Sequence, residues 1–268
     1  MPVSQRLISR LALVFLLAAA GIVQTQAATP PWGHPRGPAT ESLSQLPHPS
    51  RYAGPVQVIF RLPVSRPAVF LTIDDGWYPD PAVPAMMQKY HLPITAFLIE
   101  KAAAEHPGYW RQFVRAGGHI EDHTADHPFL TRIPPAAQFR EIAGPVDYFS
   151  RFGPRPDELR PPYGDYNAAV GTVAQKAGIK YIVLWNAEMS GGRLHTIRNR
   201  PLAAGDIVLL HWVPGLSRDL TVLLSILARS HLGVADLTQA LAGGPLTVVP
   251  APAPPAAGRT GKKAPGTV

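Results

Sequence analysis

The chain has 268 residues, of which 46% are hydrophobic, and it carries a net charge of +7. This composition supports a sizeable core and argues against a largely disordered chain. The sequence contains no cysteine, which excludes disulfide scaffolds, zinc–cysteine sites and thiol catalysis, so any bound metal must use His, Asp or Glu. No concentrated basic face that would indicate nucleic-acid binding is present.

The first 27 residues have the layout of a secretory signal peptide. Two arginines precede an apolar run from Leu11 to Val23, and small residues follow up to a predicted cleavage site near Ala27/Ala28. The apolar run is shorter than the roughly 20 residues of a membrane-spanning helix. We therefore expect a secreted or cell-envelope protein.

Two segments flank the predicted catalytic domain, which covers residues 55–244. Residues 28–54 form a predicted Pro-rich linker, and residues 245–268 a predicted disordered tail dominated by Pro, Ala, Gly and Lys. Three basic residues near the end of the tail favour loose association with anionic envelope polymers. We expect the domain to act as a monomer.

Within the domain, apolar runs alternate with helix-like stretches. The runs predict seven strands: Val56–Leu62, Val69–Ile73, Ile94–Ile99, His119–Glu121, Leu159–Arg160, Tyr181–Leu184 and Ile207–Leu210. The other stretches predict five helices: Pro81–Tyr90, Pro107–Ala116, Pro135–Phe152, Asn167–Ala177 and Arg218–His231. Pro145 is expected to kink or split the third of these helices. This alternation predicts an α/β fold with about seven parallel strands in a barrel.

Polar residues follow four of these strands at their carboxyl ends. They are Asp74-Asp75, the segment His123-Thr124-Ala125-Asp126-His127, the segment Arg160-Pro161-Pro162-Tyr163-Gly164, and His211. In a parallel barrel these ends share one face, which is where active sites lie. Two adjacent carboxylates at the end of a buried strand need a cation or a proton nearby, and two imidazoles four residues apart can meet one cation. The pattern predicts an Asp-His-His metal site with open positions for water and substrate.

These segments resemble the ordered motifs of polysaccharide deacetylases, the NodB-homology group or carbohydrate esterase family 4. The similarity covers about residues 56–240, in the order Thr72–Gly76, His123–His127, Arg160–Tyr163 and Leu209–His211. It implies a distorted (β/α) barrel and metal-dependent removal of acetyl groups from sugar polymers.

The resemblance also implies the roles of the residues around the metal. Asp74 would be the general base, and Asp75 would bind the metal together with His123 and His127. The metal expected from the family is zinc, with cobalt, nickel or manganese as alternatives.

Further roles follow from the later motifs. Arg160 would keep Asp74 ionised and oriented, the backbone N–H of Tyr163 would stabilise the oxyanion, and His211 would be the general acid. Trp185 and Trp212 are candidate substrate-binding residues, with Trp212 forming an aromatic wall beside the sugar.

The fourth motif departs from the family pattern. Gly191 stands where an acidic partner of His211 is usual, which leaves Glu188 or Asp206 as candidate replacements. Trp110, in contrast, lies in a helix-like stretch and is predicted to be a core residue.

Three functions are compatible with this pattern. The leading hypothesis is an exported N-deacetylase of N-acetylglucosamine-containing polymers, with peptidoglycan as substrate. The same metal site would serve an O-acetyl esterase acting on xylan or wall sugars. The altered fourth motif is also compatible with a non-catalytic wall-binding relative.

Overall fold

The computed structural model describes residues 54–252, so the predicted signal peptide and the linker up to residue 53 lie outside the described part. The strands are β1 Gln57–Ile59, β2 Ala68–Asp75, β3 Ile94–Leu98, β4 His119–Asp122, β5 Glu158–Leu159, β6 Tyr181–Val183, β7 Ala187–Ser190, β8 Arg193–Thr196, β9 Ile207–His211, β10 Gly233–Ala235 and β11 Val248–Pro250. The helices are α1 Ala82–Tyr90, α2 Glu100–Ala104, α3 Pro107–Arg115, α4 Pro135–Phe149, α5 Ala168–Ala177, α6 Leu216–Arg229 and α7 Leu237–Leu241. Among these helices none is both long and apolar enough to span a membrane.

The strands form one curled and mostly parallel sheet. Its order is β1-β6-β5-β4-β3-β2-β9-β7-β8, and β10 pairs with β2. All seven predicted strands are present and all seven lie in its parallel part. The predicted distorted (β/α) barrel is therefore confirmed, and its carboxyl strand ends share one rim.

Strand β2 is buried on both faces, and its alternation places the two aspartates differently. Val69, Leu71 and Ile73 point outwards into the largest hydrophobic cluster, between the sheet and the helices. Phe70 points into the barrel interior, and Thr72 and Asp74 lie on the same face of the strand because side chains alternate with a period of two. Asp74 therefore ends the inner face of the strand, at 2% exposure.

An aromatic cluster packs on the outer side of the sheet beneath the rim. Trp110 and Trp212 contact each other edge to face at 5.1 Å, and both are fully buried. The prediction that Trp110 is a core residue is confirmed. The predicted aromatic wall at Trp212 is wrong, because strand alternation turns its indole away from the inner face on which His211 lies. Gly76 (φ +104°) follows β2 over this cluster, and a Cβ there would lie 3.2 Å from the Trp110 ring.

Two features of the chain differ from the expected pattern. Pro145 does not split its helix, since α4 runs continuously from Pro135 to Phe149. The tail prediction from residue 245 onwards is wrong for Val248–Pro250, which forms β11 and pairs antiparallel with β10. The β-branched pair Val248-Val249 supplies the strand, while residues 253–268 lie outside the described part.

A half-buried ion pair joins the start of β4 to helix α7. His119 Nε2 lies 2.9 Å from Asp236 Oδ2, while Asp236 Oδ1 caps α7 by accepting from the Gln239 N–H. The hydrogen bond with Asp236 raises the pKa of His119 above its ordinary value of 6.5. Burial opposes the shift at Asp236, yet the contact with His119 lowers the pKa of that carboxyl below 3.8.

The pH dependence of this pair has a defined sign. The histidine contribution is complete below pH 6.5 and is lost as the pH rises through the raised pKa, while the aspartate contribution is lost as the pH falls through the lowered one. His119→Gln, which leaves the cap intact, should cost about 1 kcal/mol of unfolding free energy near pH 5.5 and less near pH 9. Denaturant unfolding of both proteins at the two pH values measures this. An equal cost at both would contradict the assignment.

Candidate active site

Three side chains at the barrel rim bring one ligand atom each to a common point. His123 Nε2 lies 3.2 Å from His127 Nε2 and 3.5 Å from Asp75 Oδ1, and His127 Nε2 lies 3.7 Å from the same oxygen. Ligands bound to zinc at about 2.0–2.2 Å with tetrahedral angles stand about 3.3 Å apart. The three atoms thus have the spacing of three corners of a tetrahedral metal site, with one position left open.

The buried imidazole of His123 is oriented by the backbone of the neighbouring strand end. Its Nδ1 lies 2.6 Å from the Arg160 carbonyl oxygen. Because a carbonyl oxygen only accepts hydrogen bonds, Nδ1 carries a proton and Nε2 is the nitrogen left to bind a metal. In the neutral imidazole, this tautomer leaves the Nε2 lone pair facing the site.

The backbone of the site adopts unusual conformations. Asp75, Thr124, His127 and Tyr163 all have left-handed φ values, between 61° and 82°. Such values are uncommon for residues other than glycine, especially for a β-branched threonine, and cost about 1–3 kcal/mol each. Hydrogen bonds hold two of them in place: Thr124 N–H donates to Asp122 Oδ1 at 2.6 Å, and His127 N–H donates to Thr124 Oγ1 at 3.0 Å. Strain concentrated at four site residues indicates a geometry maintained for function.

The electrostatics of the cluster favour an ionised carboxylate beside a neutral imidazole. Burial would raise the pKa of Asp75, but its hydrogen bond with His123 and the charges of the nearby histidines lower it below its ordinary value. Burial and the proximity of His123 lower the pKa of His127 to about 4. Burial opposes ionisation of His123 too, yet Asp74 and Asp75 raise its pKa. A cation bound at this point would supply the positive charge that a protonated His123 otherwise provides beside Asp74 and Asp75.

Asp74 is fixed by a fully buried arginine. Arg160 donates from Nη1 to Asp74 Oδ1 at 2.6 Å and to Thr72 Oγ1 at 2.9 Å, and from Nε to the Val183 carbonyl at 3.1 Å. The other carboxylate oxygen, Oδ2, lies 3.8 Å from His123 Nε2. One oxygen of Asp74 is therefore held in place, while the second faces the cluster of ligand atoms.

An exposed aromatic surface borders the site. Tyr163 is 54% exposed, stacks on Phe129 at 4.0 Å and contacts the His127 ring at 4.7 Å. The guanidinium of Arg132 covers the other side of the Phe129 ring, also at 4.0 Å. Trp185 is half-buried and packs against the inner clusters, and a Cβ on Gly164 would lie 3.6 Å from its ring. Of the two predicted tryptophans, only Trp185 has a surface that could meet a substrate.

His211 ends β9 directly beside Asp74 of β2 in the sheet register. Of the two candidate acidic partners, Asp206 is excluded, because it lies at the opposite end of β9 and is bound by Arg200, at 2.7 Å, and by Asn186. Glu188 of β7 pairs with Leu209, two residues before His211, so its side chain lies on the same face of the sheet as the imidazole.

The segment containing Gly191 has a structural explanation of its own. Gly191 and Gly192, at φ 55° and 77°, form the two-residue turn between β7 and β8. Their N–H groups donate to the two carboxylate oxygens of Asp219, at 2.9 and 2.7 Å. The glycine pair fits a hairpin turn with two positive φ values, a signal that the sequence contained.

Sequence reasoning assigned no role to three residues that support the site. Thr72 accepts from Arg160, Phe129 lies under Tyr163, and Glu141 binds the backbone between the two histidines. The alternation of β2 could have placed Thr72 on the face of Asp74. Nothing local in the sequence indicates Glu141, because its contact depends on how α4 packs.

The fold and the site together define a (β/α) barrel of the family 4 carbohydrate esterase type. Among solved structures, a pseudoenzyme of this family from Bacillus anthracis superposes with a TM-score of 0.61 at 18% identity, over 71% of each chain. A family 4 carbohydrate esterase from Streptomyces lividans, in complex with acetate, gives a TM-score of 0.55 at 25% identity over 70% of this chain and 97% of its own.

The sequence comparisons identify the family. The polysaccharide deacetylase family matches residues 61–182. A chitooligosaccharide deacetylase from Bradyrhizobium sp. is 32% identical over 166 residues, which are 58% of this chain and 75% of the relative. The chain therefore belongs to the polysaccharide deacetylase family.

Two further relatives extend the comparison. An uncharacterised protein from Streptomyces coelicolor is 36% identical over 154 residues, which are 56% of this chain and 62% of that protein. A peptidoglycan-N-acetylglucosamine deacetylase from Bacillus cereus is 28% identical over 168 residues, 58% of this chain and 76% of the relative.

Proposed function

We propose that this protein is an exported, metal-dependent deacetylase that hydrolyses acetyl groups from N-acetylglucosamine-containing polysaccharide, with peptidoglycan as its substrate. The observation that carries the proposal is the different surroundings of two adjacent carboxylates. Asp75 lies with His123 and His127 at metal-ligand spacing, while Asp74 is held by Arg160 and turns its free oxygen towards the same point.

Asp75, His123 and His127 would hold the metal, and zinc fits the two imidazoles and the single carboxylate. A divalent cation bound there would polarise the acetyl carbonyl and make a water molecule more acidic. The chain supplies the remaining groups. Asp74 Oδ2 accepts the proton of the attacking water, and Arg160 orients that carboxylate by donating to its other oxygen at 2.6 Å.

Two groups complete the proposed reaction. The backbone N–H of Tyr163, in its left-handed conformation at the rim, donates to the carbonyl oxygen as negative charge develops there. His211, beside Asp74, donates a proton to the departing nitrogen, so that an amine and acetate are formed. The half-exposed Tyr163 and Trp185 provide aromatic surface against which a sugar ring can lie.

The substrate proposal draws on the names of the relatives and on the predicted export signal. Relatives named for peptidoglycan and for chitooligosaccharide act on polymers that share the N-acetylglucosamine unit. An exported protein with a basic tail would meet peptidoglycan first.

Acetate release from peptidoglycan, chitooligosaccharides and O-acetylated xylan tests this proposal. We expect release from the first two substrates, loss of at least 90% of it with a chelator, and recovery on adding zinc (about tenfold or more in each direction). Release from xylan alone would favour the esterase alternative. No release from any substrate by the metal-loaded protein would favour the non-catalytic alternative.

A further inference from the structure

The segment that carries the two histidine ligands, here called the His loop (His123–His127), depends on support from outside the motifs. The N–H groups of three of its residues find acceptors close by: His123 donates to the Leu98 carbonyl on the neighbouring strand, and Thr124 and His127 donate to side chains within the segment Asp122–His127. The N–H groups of Ala125 and Asp126 have no such nearby acceptor. Both donate to Glu141 of helix α4.

Glu141 binds this stretch with both its side chain and its main chain. Oε2 accepts from the Asp126 N–H at 2.9 Å and from the Ala125 N–H at 3.1 Å, and the Glu141 carbonyl accepts from the Ala125 N–H at 2.9 Å. That carbonyl is available because Pro145, four residues later in α4, has no N–H to donate to it. The helix-internal proline thus leaves an acceptor free where the His loop uses it.

Helix α2 holds the other side of the same peptide groups. The N–H groups of Glu100 and Lys101 donate to the carbonyls of Thr124 and Ala125, at 3.1 and 3.2 Å. The middle of the His loop is therefore fixed between the first turn of α2, which takes its carbonyls, and Glu141, which takes its N–H groups.

We propose that Glu141 is a positioning residue for the metal site: it holds the His loop in the strained conformation that keeps the two imidazoles at ligand spacing. Without its carboxylate, the Asp126 N–H would lose its acceptor and the Ala125 N–H would keep only the main-chain carbonyl of residue 141, so Thr124 and His127 could relax from their left-handed conformations. The imidazole nitrogens, now 3.2 Å apart, would separate more often. This inference rests on the proposed function, because it assumes that the loop binds a metal.

Two variants of Glu141 and one control on the same helix test the inference. Glu141→Ala removes the side-chain acceptor, whereas Glu141→Gln retains an amide oxygen that can accept both N–H groups. The control is Gln138→Ala, since Gln138 is buried in α4 and donates to the carbonyls of Leu130 and Ile133 instead of supporting the His loop. Two readouts are used: the zinc Kd by competition with a chromophoric chelator, and hydrogen exchange of residues 123–127 in the metal-free protein.

Glu141→Ala should raise the zinc Kd about 10–100-fold, the usual effect of losing a group that orients a metal ligand. It should also speed amide exchange in the His loop of the metal-free protein. Glu141→Gln should stay within about threefold of the wild-type Kd, and Gln138→Ala should lower the Tm without changing the Kd.

The outcomes separate this inference from the proposed function. Wild-type protein that binds no zinc would overturn both. Wild-type protein that binds zinc, with unchanged Kd and loop exchange in Glu141→Ala, would overturn only the positioning role. Equal weakening in Glu141→Ala and Gln138→Ala would mean that general destabilisation of α4 is the cause, and would also overturn it.

Discussion

Asp74→Asn should leave the zinc content of the protein near that of the wild type while lowering kcat for acetate release by about 10²–10⁴-fold. The reason lies in the two carboxylates at the end of β2. Asp75 Oδ1 lies within 3.7 Å of both imidazole nitrogens, whereas Asp74 has one oxygen bound by Arg160 and only Oδ2 directed towards them. An amide at position 74 can still accept from Arg160, but it cannot take a proton from water.

Asp75→Asn is the matched variant, because it makes the same chemical change one residue away. It should lower both zinc content and activity, since a neutral amide oxygen is a poor ligand for zinc compared with a carboxylate. Elemental analysis of dialysed protein and acetate release under the same conditions give the two values. If both variants lost zinc to the same extent, the separation into base and ligand would be wrong.

Much of the fold follows from local sequence patterns. The seven apolar runs and the prolines and glycines around them predict the parallel strands, and the strand ends predict one catalytic rim. The alternation of β2 also separates Asp74 from Asp75 and, applied to β9, turns Trp212 away from His211. The expectation of an aromatic wall at Trp212 was wrong because it assumed that Trp212, as the next residue in the chain, lies beside His211. Adjacent residues of a strand point to opposite faces.

Other parts of the site depend on contacts between distant segments. The turn at Gly191-Gly192 is completed by Asp219 of α6, and the His loop is held by Glu141 of α4. Neither contact can be deduced from spacing, because each depends on how a helix packs against the rim. Comparison with a family motif treated Gly191 as a missing acid, whereas its structural role is to form a hairpin turn.

Arg160→Met should destabilise the protein by about 3–5 kcal/mol, the typical cost of breaking a buried ion pair from one side. Arg160 is 0% exposed, and its guanidinium also lies 4.2 Å from the Phe97 ring in the barrel interior. Its loss would leave the Asp74 carboxylate at 2% exposure without a cation. Arg160→Lys keeps the charge, but an ammonium group lacks the planar arrangement of N–H donors that binds Asp74, Thr72 and the Val183 carbonyl together. This variant should therefore still lose several of these hydrogen bonds and most of the activity.

The surface pair Arg155–Asp147 is a matched control for this measurement. Its N–O distance is the same 2.6 Å, but both side chains are about half exposed. Arg155→Met should therefore cost no more than about 1 kcal/mol.

Adding Asp74→Asn to Arg160→Met should restore part of the lost stability, because it removes the buried charge that has lost its partner. Urea unfolding of Arg160→Met, Asp74→Asn and the double variant gives the coupling free energy between positions 74 and 160. Similar costs at positions 155 and 160, or additive costs at 74 and 160, would show that burial of the Asp74 charge does not govern this site.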